Sequence, residues 1–416
     1  MTKYKYTDVF VPGGFPRFTY NPRETIRLEE RLRAANENLC KLITITGQTK
    51  SGKTVLARKI FPVQDSIWVD GGSVQNDDDF WNSVIDQAGA FQVTDVESSR
   101  QRGAEIGGRG RAGANFFVAK GEAEIEGGLS HGQSDGTKRS RAISSRIVAL
   151  SALRNSSKPL IVDDFHYLPR EFQGNLIRAI KSVIFDGHSV AIIAIPHRRY
   201  DAVKVEREMA GRIEGISVPV WSHEELKFIP KTGFSLLGVD FSDDLAEELA
   251  EEALGSPHLM QEFCRKIAAK QSFSDGMHVD FQQETRNLFR EVAETIGRPI
   301  FEKLARGPRQ RTDRIPRSLK DGRTVDIYQL VLFAIAHIRP GLVSLEYEEL
   351  RSALRDVSAA SLPQAHEVAR VLKHMATIAS SDHSSTPVID FEEGDNKLHI
   401  TDPFFAFYLR WGDLKT

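Results

Sequence analysis

The sequence predicts an α/β fold: a parallel sheet with helices on both faces, then a helical lid, then a C-terminal winged-helix domain. Three observations carry this. Short apolar runs alternate with amphipathic helical stretches as far as Trp221; a glycine-bearing turn joins the first such run to a helix; and beyond Trp221 the helical period dominates until a late pair of strands. At 416 residues the chain exceeds one ordinary core, so two or three domains are expected.

Each element has its own signal. An apolar strand candidate, Asp8–Val11, precedes the turn-rich Pro12-Gly13-Gly14, and Asn21-Pro22-Arg23-Glu24 reads as a helix start with Asn21 as cap. Strands are expected at Leu42–Thr46, Ser66–Val69, Leu160–Val162, Val190–Ile195 and Ile216–Val220. Helices are expected at Lys53–Ile60, from Asn76 through Ile85, and at Arg170–Ile184. Ten glycines fall within the 34 residues from Gly103 to Gly136, which marks 98–138 as an insertion in a core spanning 1–221. Its alternatives are a flexible surface segment or a hairpin, Asn115–Val118 with Glu122–Glu126, that orders against a partner. A lid is expected over 222–305, with helices at Ser222–Lys231, Ser242–Leu254, Pro257–Lys270 and Phe281–Ile296. A basic linker, 306–323, leads to helices at Ile327–Ile338, Leu345–Val357 and Gln364–Ala379, strands at Val388–Phe391 and Lys397–Ile400, and a last helix from Asp402-Pro403. Three helices followed by a hairpin is the winged-helix order, assigned to 324–416.

Composition narrows the class. With 27% charged and 40% hydrophobic residues the chain is not wholly disordered. Cys40 and Cys264 are its two cysteines, too few for a disulfide framework or a cysteine metal cluster. No run of about 18 apolar residues occurs, so no membrane span is expected and the default location is the cytoplasm. The net charge of −2 conceals two opposed regions, a basic 306–323 and an acidic 326–416.

Gly47-Gln48-Thr49-Lys50-Ser51-Gly52-Lys53-Thr54 fits G-x-x-x-x-G-K-[ST] in full. Its glycines let successive backbone N–H groups turn inward onto phosphate oxygens, and the start of the next helix, with Val55, adds its positive end. Lys53 is placed to neutralise β/γ-phosphate charge, and the Thr54 hydroxyl is a Mg²⁺ ligand. The apolar strand before the loop and the apolar-faced helix after it supply the context of a P-loop nucleoside triphosphatase. Leu160-Ile161-Val162-Asp163-Asp164 is an apolar strand ending in two acids. Asp163 is the candidate for the metal shell and Asp164 for the base that orients the attacking water; the alternative is a helix cap. The shorter reach of Asp, compared with Glu, implies slow turnover. Arg198 is a candidate γ-phosphate sensor or a solvated basic turn. Arg212 is a candidate finger on a neighbouring subunit's nucleotide or a surface ion pair.

With these residues in place, the chain resembles P-loop ATPases of the AAA+ and STAND kind, near the origin-recognition and archaeal regulatory branch. The resemblance rests on Pro22-Arg23-Glu24, the GQTKSGKT loop, LIVDDFH, His197-Arg198-Arg199, REMAGRI at 207–213 and Gly255-Ser256-Pro257-His258-Leu259. It implies that Arg23 borders an adenine pocket and that Pro257 and His258 close over base and sugar. It also implies ATP or ADP with Mg²⁺ as ligands, self-association through the ATPase core, and a defence or signalling role. A lid arginine on the γ-phosphate is missing unless Arg265 serves, which favours a switch over a processive motor.

Relatives often grip DNA with the winged helix, but 326–416 carries eight Lys or Arg against thirteen Asp or Glu. The wing holds Glu392, Glu393 and Asp395 where a phosphate would call for a base, and the third helix offers Arg370 and Lys373. A protein partner docking on this module or on the glycine-rich insertion is the expectation. Linker 306–323, with seven bases and two acids, is the remaining nucleic-acid candidate, set against docking on the acidic module. The expected function is a slowly hydrolysing switch ATPase; the alternatives are a DNA-associated regulator and a scaffold that keeps ADP without turnover.

Overall fold

The computed structural model describes residues 4–37, 40–90, 144–195, 209, 211–273, 281–309, 314–342, 344–359, 361–380 and 387–414. The insertion at 98–138 and residue Arg198 lie outside them. A parallel five-stranded sheet in the order β2-β3-β4-β1-β5 forms the N-terminal half. Its strands are β1 (Leu42–Gly47), β2 (Ile67–Asp70), β3 (Leu160–Asp163), β4 (Val190–Ala194) and β5 (Ile213–Val218). Every residue of β1, β3 and β4 is buried, as a strand covered on both faces requires.

Around it lie α1 (Tyr6–Val9), α2 (Leu28–Glu37), α3 (Lys53–Ile60), α4 (Asp77–Gln87), α5 (Ser145–Asn155) and α6 (Arg170–Phe185). On one face, Leu32, Leu56 and Phe61 from α2, α3 and the end of α3 cover Ile43, Ile45 and Ile193. On the other, Phe80, Trp81, Leu153, Leu176 and Ile180 cover Leu42, Val162 and Ile192. Asn76 starts α4 with a capping box, its side chain accepting from Asp79 N–H while Asp79 accepts in return.

Several local expectations are corrected. Asp8–Val11 is not a strand: Tyr6–Val9 makes one helical turn, and Val9 and Phe10 are drawn into the helical core, where Phe10 meets Phe234 at 4.9 Å. Asn21 does not cap a helix at Pro22. Its Oδ1 accepts from Arg23 N–H at 2.9 Å in an Asx turn, Arg23 takes a left-handed φ of 54°, and the helix waits until Leu28. Strand β5 begins three residues before the expected Ile216, because its edge position lets the half-exposed Ile213–Gly215 pair with Leu42–Thr44. Helix α5, an amphipathic stretch, was not anticipated.

The C-terminal half comprises α7 (His223–Leu236), α8 (Asp243–Glu252), α9 (Pro257–Phe273), α10 (Phe281–Ile296) and α11 (Arg298–Arg306). A two-residue ladder of β6 (Arg317–Ser318) with β7 (Thr324–Val325) leads to α12 (Ile327–His337), β8 (Ser344–Glu346), α13 (Tyr347–Val357) and α14 (Ala365–Ser380). Then come β9 (Ile389–Glu392), β10 (Lys397–Ile400) and α15 (Pro403–Trp411). Leu345, expected in a helix, belongs to β8, which completes an antiparallel sheet in the order β8-β10-β9. Helix α15 packs chiefly on α10 rather than within the C-terminal module alone. Phe407 meets Phe263 at 5.1 Å and Phe289 at 5.6 Å, Trp411 meets Phe289 at 5.0 Å, and Tyr408 meets Phe301 at 5.1 Å. One continuous cluster of buried apolar residues therefore runs from Val9 through α7–α11 to Leu409. Among the described residues no helix is long and apolar enough to cross a membrane.

Candidate functional site

Strand β1 delivers Gly47 at the C-terminal edge of the sheet, where a parallel fold gathers its ligand-binding loops. Two glycines shape the phosphate loop. A Cβ at Gly47 would stand 2.6 Å from the Val218 carbonyl, so only glycine fits against β5. Gly52 has φ +92°, the left-handed backbone that glycine takes without strain, and it is the residue from which α3 starts. Inside the loop, the Ser51 and Thr49 hydroxyls are buried without a hydrogen-bond partner. Both residues line the cavity described below, where a bound group or water can meet them.

Lys53 is 8% exposed, and its ammonium donates to the carbonyls of Gly47 at 2.9 Å and Gln48 at 2.7 Å. Burial lowers its pKa to about 8, against the pull of Asp164 and Asp163. Strand β4 separates β3 from β1, so the acids are not on the strand adjacent to the loop's own. Thr54 spans that interval: its hydroxyl donates to Asp163 Oδ1 at 3.3 Å. Asp163 also accepts from the Asp164 N–H at 2.9 Å, and burial raises its pKa despite these bonds. Asp164 has a left-handed φ of 48° and makes no side-chain cap on the turn after it. Burial, then repulsion from Asp163, raises it to about 6. A carboxylate with no cap to serve and a pKa near neutrality suits proton or water handling.

A cavity of about 330 Å³ opens beside these groups, lined by Thr49 through Leu56, Asp164, the segment Gly13–Pro16, Thr19–Arg23, Trp221, Pro257, His258 and Gln261. The phosphate loop, Asp164 after β3 and the start of α9 thus share one enclosure. Burial lowers His258 to about 4, with Lys50 adding to the effect and Asp402 opposing it, so its imidazole is neutral at pH 7. Arg23 lines the cavity, yet its guanidinium is engaged elsewhere. It holds Glu225 through two bonds of 2.8 Å, donates to the carbonyls of Pro219 and Val220, and lies 5.0 Å over the Trp221 ring. What Arg23 offers a ligand is its stem and backbone, not a free cation.

Arg212 is not brought to this cavity. The Leu42 N–H donates to its carbonyl at 2.8 Å, which puts Arg212 at the entry of β1, while the phosphate loop leaves the exit about 17 Å away. Its guanidinium lies 5.3 Å from the Phe185 ring. Arg265 is not among the described residues that line the cavity.

Sequence reasoning missed Phe15, Tyr20, Trp221 and Gln261. Phe15 and Tyr20 lie parallel, 9° apart with centroids at 6.3 Å. Trp221 donates from its indole to the Ser51 carbonyl at 3.0 Å, tying the loop to the segment that leads into α7. The aromatic content of Phe15–Tyr20 was its only signal.

Three of the linker's seven bases are paired within the chain. Arg314 pairs with Asp326 and lies 4.3 Å over Tyr328; Arg317 reaches Glu367 at 3.6 Å; Arg323 reaches Asp321 at 2.7 Å and lies 4.6 Å over Phe333. Glu393, in the turn between β9 and β10, holds Lys373 of α14 at 2.5 Å.

No family model matches the chain, and no curated protein matches it in sequence. Solved structures do. A Walker-type ATPase of Pyrococcus abyssi superposes with a TM-score of 0.54 at 16% identity, covering 94% of this chain and 95% of that one. The Aeropyrum pernix ORC2 protein in its ADP form gives 0.47 at 13% identity, over 95% and 94% of the two chains. Cdc6p from Pyrobaculum aerophilum gives 0.44 at 13%, over 97% and 96%. The first likeness shows the fold: this chain has the architecture of a Walker-type P-loop ATPase, the α/β class that the sequence predicted.

Proposed function

We propose that the chain binds ATP with Mg²⁺ in this cavity, hydrolyses it slowly, and works as a switch of the AAA+/STAND kind. The observation that carries this reading is the convergence, on one enclosure, of the complete phosphate loop, the unpartnered Ser51 and Thr49 hydroxyls and the raised Asp164 carboxylate. Gly47, Gln48, Thr49, Lys50, Ser51, Gly52, Lys53, Thr54 and Val55 would surround the phosphates. Thr54 and Asp163 would hold the cation, which when bound neutralises phosphate charge. Such a site needs few protein ligands, so it agrees with the lack, among the described residues, of any three-residue metal cluster. Asp164 would orient water. Phe15, Tyr20, Pro257 and His258 would flank base and sugar.

Residues 222–305 would then act as a lid and 324–416 as a winged helix that moves with it and docks a protein partner. Self-association, with Arg212 reaching the next copy's nucleotide, fits its place at the far end of the sheet. DNA binding is disfavoured by the acidic balance of 326–416, and Arg314, Arg317 and Arg323 of the linker and Lys373 of the third helix are paired internally.

Nucleotide binding and turnover test the site. Lys53→Ala should weaken binding by about 100-fold through loss of a buried charge-assisted donor. Asp164→Ala should keep binding and lose turnover. Its base must be ionised to act, so wild-type hydrolysis should rise with pH through about 6. Unchanged turnover in both variants would sink the assignment.

A further inference from the structure

Lys50 is the one lysine of the phosphate loop besides Lys53, and its ammonium bonds outside the loop where that of Lys53 bonds to loop carbonyls. Its ammonium lies 2.5 Å from Asp402 Oδ2, across a separation of 352 residues, and 4.1 Å from the Phe404 ring centroid. Gln48, two residues earlier, donates to the Leu342 carbonyl at 3.2 Å. Two variable positions of the loop are therefore held by the C-terminal module rather than by the sheet.

Asp402 is built for this contact. It caps α15, its Oδ1 accepting from the N–H groups of Phe404 at 2.8 Å and Phe405 at 3.0 Å, so Oδ2 is left for Lys50. The side chains are 27% exposed for Lys50 and 9% for Asp402. A carboxylate this buried is costly without a partner, but its two backbone donors remain when the lysine leaves. Lys50 itself lines the cavity, on a flexible four-carbon stem with three donors. One cation thus has two anionic destinations, the carboxylate of α15 and a phosphate in the loop.

We propose that Lys50 is a second phosphate-binding cation that discriminates triphosphate from diphosphate, and that Asp402 competes with the nucleotide for it. A triphosphate, with its greater charge, draws Lys50 off Asp402 and frees the start of α15; a diphosphate leaves the pair closed. The proposal rests on the nucleotide-switch reading of the cavity. It extends that reading by naming the bond through which occupancy reaches residues 324–416.

Linkage makes it testable, because whatever weakens the Lys50–Asp402 pair must strengthen triphosphate binding by the same factor. Affinities for ADP and for a non-hydrolysable ATP analogue, each with Mg²⁺, are measured by titration calorimetry on wild type, Asp402→Asn, Lys50→Met and the double variant. Asn keeps the α15 cap and removes the charge. The expected result is a gain of about 5–10-fold for the triphosphate in Asp402→Asn, within the usual range of coupling between sites, with ADP changed less than about 2-fold. Retained ADP binding shows that the variant is folded. In the Lys50→Met background, Asp402→Asn should have no effect. An equal shift for both nucleotides, or the same gain without Lys50, overturns the competition while leaving the nucleotide site standing. Failure of the wild type to bind either nucleotide overturns the underlying reading instead.

Discussion

The two halves of this molecule are stabilised in different ways. In the sheet half, apolar side chains form two separate clusters, one on each face, and the C-terminal edge between them is given over to charge. Lys53, Asp163 and Asp164 lie there with their pKa values displaced by burial. In the helical half a single apolar cluster runs without a break from Val9 to Leu409. The contrast separates two kinds of packing: the sheet half holds unfavourable charges in fixed places, and residues 222–305 and 324–416 of the helical half share one apolar cluster.

The largest test of that contrast is Phe407→Ala. Phe407 is fully buried in α15 between Phe263 and Phe289, so its loss should cost about 3–5 kcal/mol. Amide exchange should show α9, α10 and α14 losing protection together while β1 and β4 keep theirs. Loss confined to α15 and α14 would mean that the lid and the C-terminal module are separate bodies.

Asp164→Asn tests the other half. Its folded pKa of about 6 lies above the ordinary 3.8, so the stability it contributes is complete below pH 3.8 and lost as pH rises through about 6. The amide escapes that loss, although Lys53 gives up a neighbouring counter-charge. The variant should therefore be more stable than wild type by about 1–3 kcal/mol at pH 7.5 and equal to it near pH 3.8. Urea denaturation at the two pH values reads the difference. A pH-independent gap would place the effect in packing rather than in charge.

The same division governs what was legible in the sequence. The phosphate loop spans eight consecutive residues, and β3 announces itself by an apolar run ending in Asp163 and Asp164. Such signals are local, because alternation, turn chemistry and helix starts act over a few residues. The Asx turn at Asn21 defeated the local reading, since Pro22 and the acid after Arg23 imitate a helix start while Arg23 is held by Glu225, 202 residues away. Lys50 with Asp402, and Trp221 with Ser51, were invisible for the same reason: each pair is made by tertiary packing, and the motif that contains Lys50 and Ser51 says nothing of Asp402 or Trp221. Charge counting found the acidic module and the basic linker. It could not show that Arg314, Arg317 and Arg323 were already paired.

Trp221 lies where the halves meet, and the smallest predicted effect falls there. Its indole N–H reaches the Ser51 carbonyl, its backbone N–H reaches the Gly255 carbonyl at 3.2 Å, and its ring lies under Arg23. Trp221→Phe keeps an aromatic face for the guanidinium and removes one neutral hydrogen bond, so the cost should be about 1 kcal/mol. That bond links the bodies rather than holding either together. The loss should thus appear less in either half's unfolding midpoint than in the coupling between them. Unfolding monitored by amide exchange should show sheet and lid opening at closer to independent free energies in the variant. If both halves instead lose the same stability and keep their coupling, then Trp221 is an ordinary packing residue, and the coupling runs through other contacts such as the Ser256 hydroxyl on the Lys50 carbonyl.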